Sequence, residues 1–340
     1  MTGNPLYARR TGSLMFLSCD LVGSTQYKQT REEWPSKFLA FYREFPQALA
    51  DVNKASDHQV SYWLWKAIGD ELIFACVVDS EKDVHYAVRT WVAAMERYEL
   101  ESLRQEGLAT KGGAFIATFP GPDSQVSIPL SPESETSDAG VVELNDEAYA
   151  EFQSDKYLYD FLGPSVDTGF RVLGSCNQRL FTMSVEVTWA FCRAAQDLNL
   201  ESETGDVILV DTKELKGVWG GRSYPVFAID RQHSDTVHVA LRRLNGQMPA
   251  LTDIIAVCSE CASSEGWPSR LHLPESNLPS FQLVPGDVLA SARTNAMEGA
   301  ETVPDEAAIS ASGRKRVLKL DELIALLETS GSKAAEPSHD

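Results

Sequence analysis

The order of elements read from this sequence predicts an α+β fold built on an antiparallel sheet. Three observations carry that prediction. Short runs rich in aliphatic and aromatic residues alternate with longer stretches whose apolar positions recur every three or four residues. A Gly69-Asp70 pair separates two apolar runs, residues 59–67 and 71–78, which is the pattern of a β-hairpin. Up to about residue 230 the elements then run β-α-β-β-α-β-α-β.

Residues 13–19 (SLMFLSC) are apolar and short enough for a buried strand, which Asp20 is expected to terminate. Residues 25–53 have helical spacing, with Trp34, Phe38, Phe41, Tyr42, Phe45 and Leu49 on one face. Pro35 suits the first turn, and Pro46 is expected to kink or end the helix. After the hairpin, residues 83–104 form a second amphipathic helix, and 112–119 a strand. The Pro-, Ser- and acid-rich stretch 120–140 reads as a loop. One or two helices are expected in 145–161, another from about Ser165, and a strand then a helix in 181–198. Residues 207–210 and 226–229 read as short strands around a turn, with Gly220-Gly221 as turn residues. Beyond about residue 232 a strand is expected at 237–241, helices at 249–262 and 317–327, and fraying at 333–340. Residues 1–231 therefore read as the principal domain and 232–340 as a C-terminal extension.

Composition excludes several classes of function. Thirty Lys and Arg stand against 49 Asp and Glu, a net charge of −19, so no surface for gripping nucleic acid or anionic lipid is expected. The 43% hydrophobic content marks a chain that folds around a core. No stretch reaches the roughly 18–20 apolar residues that cross a bilayer, and none resembles a signal peptide. The six cysteines are scattered, so free, mostly buried thiols in a cytoplasmic protein are expected. Cys258-x-x-Cys261 has no second ligand pair after it to make a zinc site.

Two acids stand out by position. Asp20 ends the first strand, before the loop Leu21-Val22-Gly23-Ser24-Thr25, and Asp70 sits at the hairpin tip. A strand-end carboxylate beside a hairpin-tip carboxylate makes a pair that a hard cation, Mg²⁺ or Mn²⁺, would hold together. Backbone N–H groups of residues 22–25 would then face phosphates bound to that cation.

The segments FLSCDLVGST (16–25) and KAIGDELIFA (66–75) resemble the two metal-binding motifs of class III nucleotidyl cyclases. YDFLGPSVDTGFR (159–171) is similar to that family's block carrying its transition-state arginine. Leu215-Lys216-Gly217, with Tyr224-Pro225-Val226-Phe227, resembles its late strand pair. The four segments occur in the family's order across residues 13–230.

The resemblance implies a ferredoxin-like catalytic domain that pairs head to tail as a homodimer, with active sites at the interface. It implies two divalent ions per site, Mn²⁺ or Mg²⁺, bound by Asp20, Asp70 and the carbonyl of Leu21. It assigns base recognition to Lys66 and Asp160, transition-state stabilisation to Arg171, and triphosphate binding to Lys216 beside residues Val22, Gly23, Ser24 and Thr25. Asp167, the second catalytic candidate beside Arg171, stands four residues before it where the family has Asn, and as an acid beside a triphosphate it is expected to bond Arg171 or a ribose hydroxyl. Lys66 and Asp70 flank the hairpin turn, so each is expected to serve a different one of two symmetry-related sites.

The approach to the hairpin is bulky: Tyr62-Trp63-Leu64-Trp65. Alternation along a strand puts Tyr62, Leu64 and Lys66 on one face, so Tyr62 is expected to narrow the base pocket toward a single-ring base. In this the chain resembles the pyrimidine cyclases of Pycsar anti-phage systems. That implies UTP, or CTP, as substrate and a separate effector responding to the cyclic nucleotide. Two other functions fit the same motifs: an adenylate cyclase, because Lys66 and Asp160 match an adenine-recognising pair, and a non-catalytic nucleotide-sensing module.

Overall fold

The computed structural model describes residues 11–133, 135, 139–200, 206–244 and 249–294. The helix expected at 317–327, the basic residues Arg314, Lys315 and Arg316, and the tail 333–340 lie outside them.

The first strand, β1 (Gly12–Val22), is followed by α1 (Ser24–Thr30) and α2 (Trp34–Ala55). Next come the hairpin β2 (Trp63–Ile68) and β3 (Glu71–Val78), then α3 (Glu81–Tyr98) and β4 (Ala109–Phe119). A side hairpin follows, made of β5 (Ser124–Pro129) and β6 (Tyr157–Leu162), with α4 (Val141–Glu151) between its strands. Then come α5 (Pro164–Leu173), β7 (Leu180–Met183), α6 (Val185–Asp197), β8 (Val207–Glu214) and β9 (Ser223–Asp230). After these come α7 (Thr236–Leu244), α8 (Leu251–Ser263) and α9 (Pro279–Gln282). Seven strands form one sheet in the order β2-β3-β1-β4-β7-β9-β8. Every pairing in it is antiparallel except β4 with β7, so the α+β class with an antiparallel-dominated sheet stands.

Alternation along β1 divides the core. Met15, Leu17, Cys19 and Leu21 point into the layer of α2, α3 and α6, while Leu14 and Phe16 point to the other face. The helix-side core is filled by Phe41, Phe45, Trp91 and Phe191, all fully buried. The other face carries a smaller cluster of Phe16, Trp65, Phe115, Phe161 and Phe170 beneath α5 and β6. By the two-residue period, Ser18 and Asp20 continue the Leu14–Phe16 face.

Several elements differ from the expectations. β1 runs two residues past Asp20, because its pairing with β4 continues to Val22. Pro46 lies inside α2 without ending it. Burial of Phe38, Phe41, Phe45 and Leu49 along that face offsets the one hydrogen bond that proline removes. The stretch expected to be a loop contains β5, whose partner β6 lies in the stretch expected to be helical. The aromatic run Tyr157-Leu158-Tyr159-Asp160-Phe161 favours a strand once a partner is present. Residues 237–241 belong to α7, capped by the Asp235 carboxylate, which accepts from the His238 N–H at 2.9 Å.

Residues 251–281 join the same core. Ile254, Cys258 and Cys261 of α8 pack into the helix-side cluster, so both CxxC thiols are buried; burial pushes that of Cys261 up to about 11. The following segment is stitched across the strand ends. The His272 N–H donates to Ser13 Oγ at 3.1 Å, Thr118 Oγ1 donates to the Arg270 carbonyl at 2.6 Å, and Arg293 grips Asp146 through two nitrogens.

α5 sits close to the sheet because of Gly169. A Cβ there would fall 2.2 Å from the ring of the fully buried Phe115. Gly169→Ala is therefore expected to cost about 1–3 kcal/mol by overpacking, read as a lowered Tm. An unchanged Tm would show that α5 has room to lift.

Candidate active site

The register of the sheet explains why the two predicted acids meet. Asp20 on β1 lies directly opposite Glu71 on β3 and Lys111 on β4, and Asp70 precedes Glu71 at the hairpin tip. Gly112 permits this close approach of β4, since a Cβ there would meet the Ser18 carbonyl at 1.9 Å. Gly69 holds the tip in the left-handed region at φ +61°. The Tyr42 hydroxyl, from α2, donates to the Gly69 carbonyl and anchors the tip.

Together Asp20, Leu21, Val22, Gly23, Ser24, Thr25, Asp70, Glu71 and Lys111 line an open cleft of about 620 Å³. Lys111 Nζ lies 2.9 Å from Asp20 Oδ2, and Lys28 Nζ 3.0 Å from Asp70 Oδ1. Burial raises the Asp20 carboxyl above the ordinary carboxylate range; Lys111 opposes this, and the charge of Asp70 adds to it. Asp70 is held below its ordinary value. Burial pushes it up, but hydrogen bonding from Ser24 and the nearby Lys28 outweigh that. Glu71, bonded by the Ser18 hydroxyl, is raised by burial and by the charges of Asp20 and Asp70. Cys176 also lines the cleft, but burial pushes its thiol up to about 11, so it is no nucleophile at neutral pH.

A second group forms around Lys66, midway along β2. Lys66 Nζ donates to Asp160 Oδ2 at 2.9 Å and lies 4.0 Å from the centre of the Trp65 ring. Trp65 Nε1 donates to Asp160 Oδ1 at 2.8 Å. α5 is packed beside this group through Phe170, whose ring is 5.9 Å from that of Trp65. Arg171, the next residue, donates from Nη1 to the Asp167 main-chain carbonyl at 2.6 Å. The Asp167 side chain is exposed. Lys66, Asp160, Asp167 and Arg171 are absent from the lining of the acidic cleft.

Two predicted residues stand elsewhere. Tyr62 faces the helix layer, donating from its hydroxyl to the Ala87 carbonyl at 3.0 Å beside Trp91. The cause is a β-bulge between Leu64 and Lys66, which breaks the alternation and turns Lys66 to the face opposite Tyr62. Lys216 is exposed on the turn after β8, at the sheet edge farthest from the β2–β3 hairpin. Sequence reasoning missed Lys28, Glu71, Lys111 and Trp65. Glu71 adjoins Asp70 and was open to notice; Lys111 needed the β1–β4 register, and Trp65 needed the bulge.

The cleft fits divalent ions. Among the described residues no three His, Cys, Asp or Glu side chains form a ready metal cage. Mg²⁺ and Mn²⁺ in nucleotide sites, however, take one or two carboxylates and complete their shell with substrate phosphates and water. Asp20, Asp70 and the Leu21 carbonyl are hard oxygen donors of that kind. Burial, and to a lesser degree the charge of Asp70, raise Asp20, and a cation would oppose both.

No protein-family model matches the chain, and no curated protein matches it by sequence. Among solved structures it is similar to the adenylyl cyclase CyaB from P. aeruginosa at 13% identity and a TM-score of 0.42, over 65% of this chain and 94% of that one. It is similar to the guanylate cyclase domain of RhGC from Catenaria anguillulae in complex with GTP at 11% identity and a TM-score of 0.42, over 66% of this chain and 100% of that one. A third similarity is to adenylate cyclases from Trypanosoma brucei in their monomeric state, at 14% identity and a TM-score of 0.38, over 64% of this chain and 90% of that one.

Proposed function

We propose that this chain is a divalent-metal-dependent pyrimidine nucleotide cyclase, converting UTP, or CTP, to the 3′,5′-cyclic monophosphate and pyrophosphate. The observation that carries this reading is the convergence of Asp20, Asp70 and residues 22–25, at the junction of β1 and α1, on one cleft, in the motifs that resemble class III cyclases. Bound divalent ions would supply a lowered pKa for the ribose 3′-hydroxyl and neutralise triphosphate charge. Asp20, Asp70 and the Leu21 carbonyl would hold those ions, with residues 22–25 beside the phosphates. Lys66 and Asp160 orient the base, and Arg171 stabilises charge gathering on the α-phosphate. The 3′-hydroxyl gives its proton to solvent water and its oxygen bonds to the α-phosphorus, while the bond from that phosphorus to the bridging oxygen breaks and pyrophosphate leaves.

A homodimer with shared sites is part of the proposal. The acids and the base-recognising group of one chain occupy separate places. The second group is flanked by exposed apolar side chains: Leu158 and Leu162 lie two residues either side of Asp160 on β6, and Ile128 lies opposite Leu158. Apolar surface around a charged pair favours cover by another subunit. The choice of a pyrimidine rests on the Pycsar resemblance, as does the implied role in anti-phage defence through a separate effector. Tyr62 lends it no support, and Trp65 supplies the bulk beside Asp160.

The test is to incubate the protein with each of the four NTPs and Mn²⁺ and to resolve the products. Cyclic UMP, or cyclic CMP, with equimolar pyrophosphate is the expected result. Cyclic AMP would overturn the pyrimidine choice, and nucleotide binding without any pyrophosphate would favour a sensing module.

A further inference from the structure

We infer that Trp65 is a positioning residue for base selection: its indole N–H fixes which oxygen of Asp160 reads the base. The inference rests on the function proposed above.

The β-bulge places two successive residues, Trp65 and Lys66, on one face of the strand, where regular alternation would separate them. Both donate to the same carboxylate, the indole to Oδ1 at 2.8 Å and the ammonium to Oδ2 at 2.9 Å. The Phe161 N–H adds a second bond to Oδ1, at 2.9 Å. A carboxylate has about four acceptor positions. Oδ1 is thereby filled, and the free position belongs to Oδ2, beside Lys66. Lys66 keeps protons for an acceptor, so the pair presents one acceptor next to one donor. That pattern matches the N–H and neighbouring acceptor on the pairing edge of a nucleobase.

The indole is itself immobile. Trp65 is 7% exposed, with its ring 4.5 Å from Phe16 and 5.6 Å from Phe161. Lys66 lies over its face as a cation–π partner. Without the indole N–H, Oδ1 regains a vacant acceptor position. The carboxylate can then turn and offer either oxygen, so bases with different edges are accepted more equally.

Trp65→Phe keeps an aromatic ring among Phe16, Phe161 and Phe170 and removes only the donor and part of the bulk. With the preferred NTP, KM is expected to rise about tenfold while kcat stays within about threefold. The ratio of kcat/KM between the preferred NTP and the other three should fall about tenfold. A variant with a lowered Tm but unchanged KM and base ratios would overturn the inference and leave Trp65 as core packing.

If the wild type releases pyrophosphate from none of the four NTPs, the proposed function fails, and equilibrium binding of the four to wild type and W65F decides this inference. A preference relaxed about tenfold upholds it; equal preferences, or no binding of any NTP to the wild type, overturn it. Should W65F not fold, the Trp65 indole N–H resonance of the ¹⁵N-labelled wild type replaces it. A signal that moves with UTP and not with inorganic tripolyphosphate upholds the inference, and one that responds alike to both overturns it.

Discussion

Asp70→Ala is expected to lower kcat/KM at least about 1,000-fold, the loss of roughly 4 kcal/mol of transition-state stabilisation, with Tm changed by only a few degrees. Two features make the effect large on catalysis and small on folding. Asp70 lies at a solvent-facing turn, and its partner Lys28 is about one-third exposed, so the cation left behind is hydrated rather than stranded. The turn itself depends on Gly69 and on the Tyr42 hydroxyl at the Gly69 carbonyl, neither of which the substitution touches. What is removed is one of the two carboxylates that would hold the ions, and the one kept below the ordinary carboxylate range. Steady-state assays with UTP and Mn²⁺, paired with thermal melts, read both quantities. Activity within tenfold of wild type would remove Asp70 from the metal site, and a collapsed Tm would make it structural.

The sequence carried the main sheet well and the side hairpin poorly. β1, β3 and β4 are apolar, local and bounded by turns, so periodicity finds them. β5 and β6 were hidden because each owes its state to a partner: residues 124–129 carry loop composition, and 157–162 adjoin a true helix. α7 was mistaken for a strand because Val237 and Val239 alternate over a stretch too short to separate the two periods. The same limit governs the candidate site. Asp20 and Asp70 were legible as acids at an element end and a turn, but Lys111 enters only through the β1–β4 register.

Tyr62 and Trp65 show the sharper case. Strict alternation assigns Tyr62 to the face of Lys66, and one extra residue in β2 exchanges its place with that of Trp65. Nothing in Trp63-Leu64-Trp65-Lys66 announces a bulge. The cost of Trp65 facing solvent is what fixes it, since the alternative would expose an indole that now fills the cluster around Phe16.

In the proposed dimer, one chain's acids work with the other chain's Lys66, Asp160 and Arg171. Mixing Asp70→Ala with Arg171→Ala tests it most directly. Each variant alone is expected to be nearly inactive. After full subunit exchange, half of the dimers are mixed, and each of these carries one site with both sets of residues intact. Activity should therefore rise to about a quarter of the wild-type value. No recovery despite exchange demonstrated with labelled subunits, or turnover by a strictly monomeric wild type, would contradict the account.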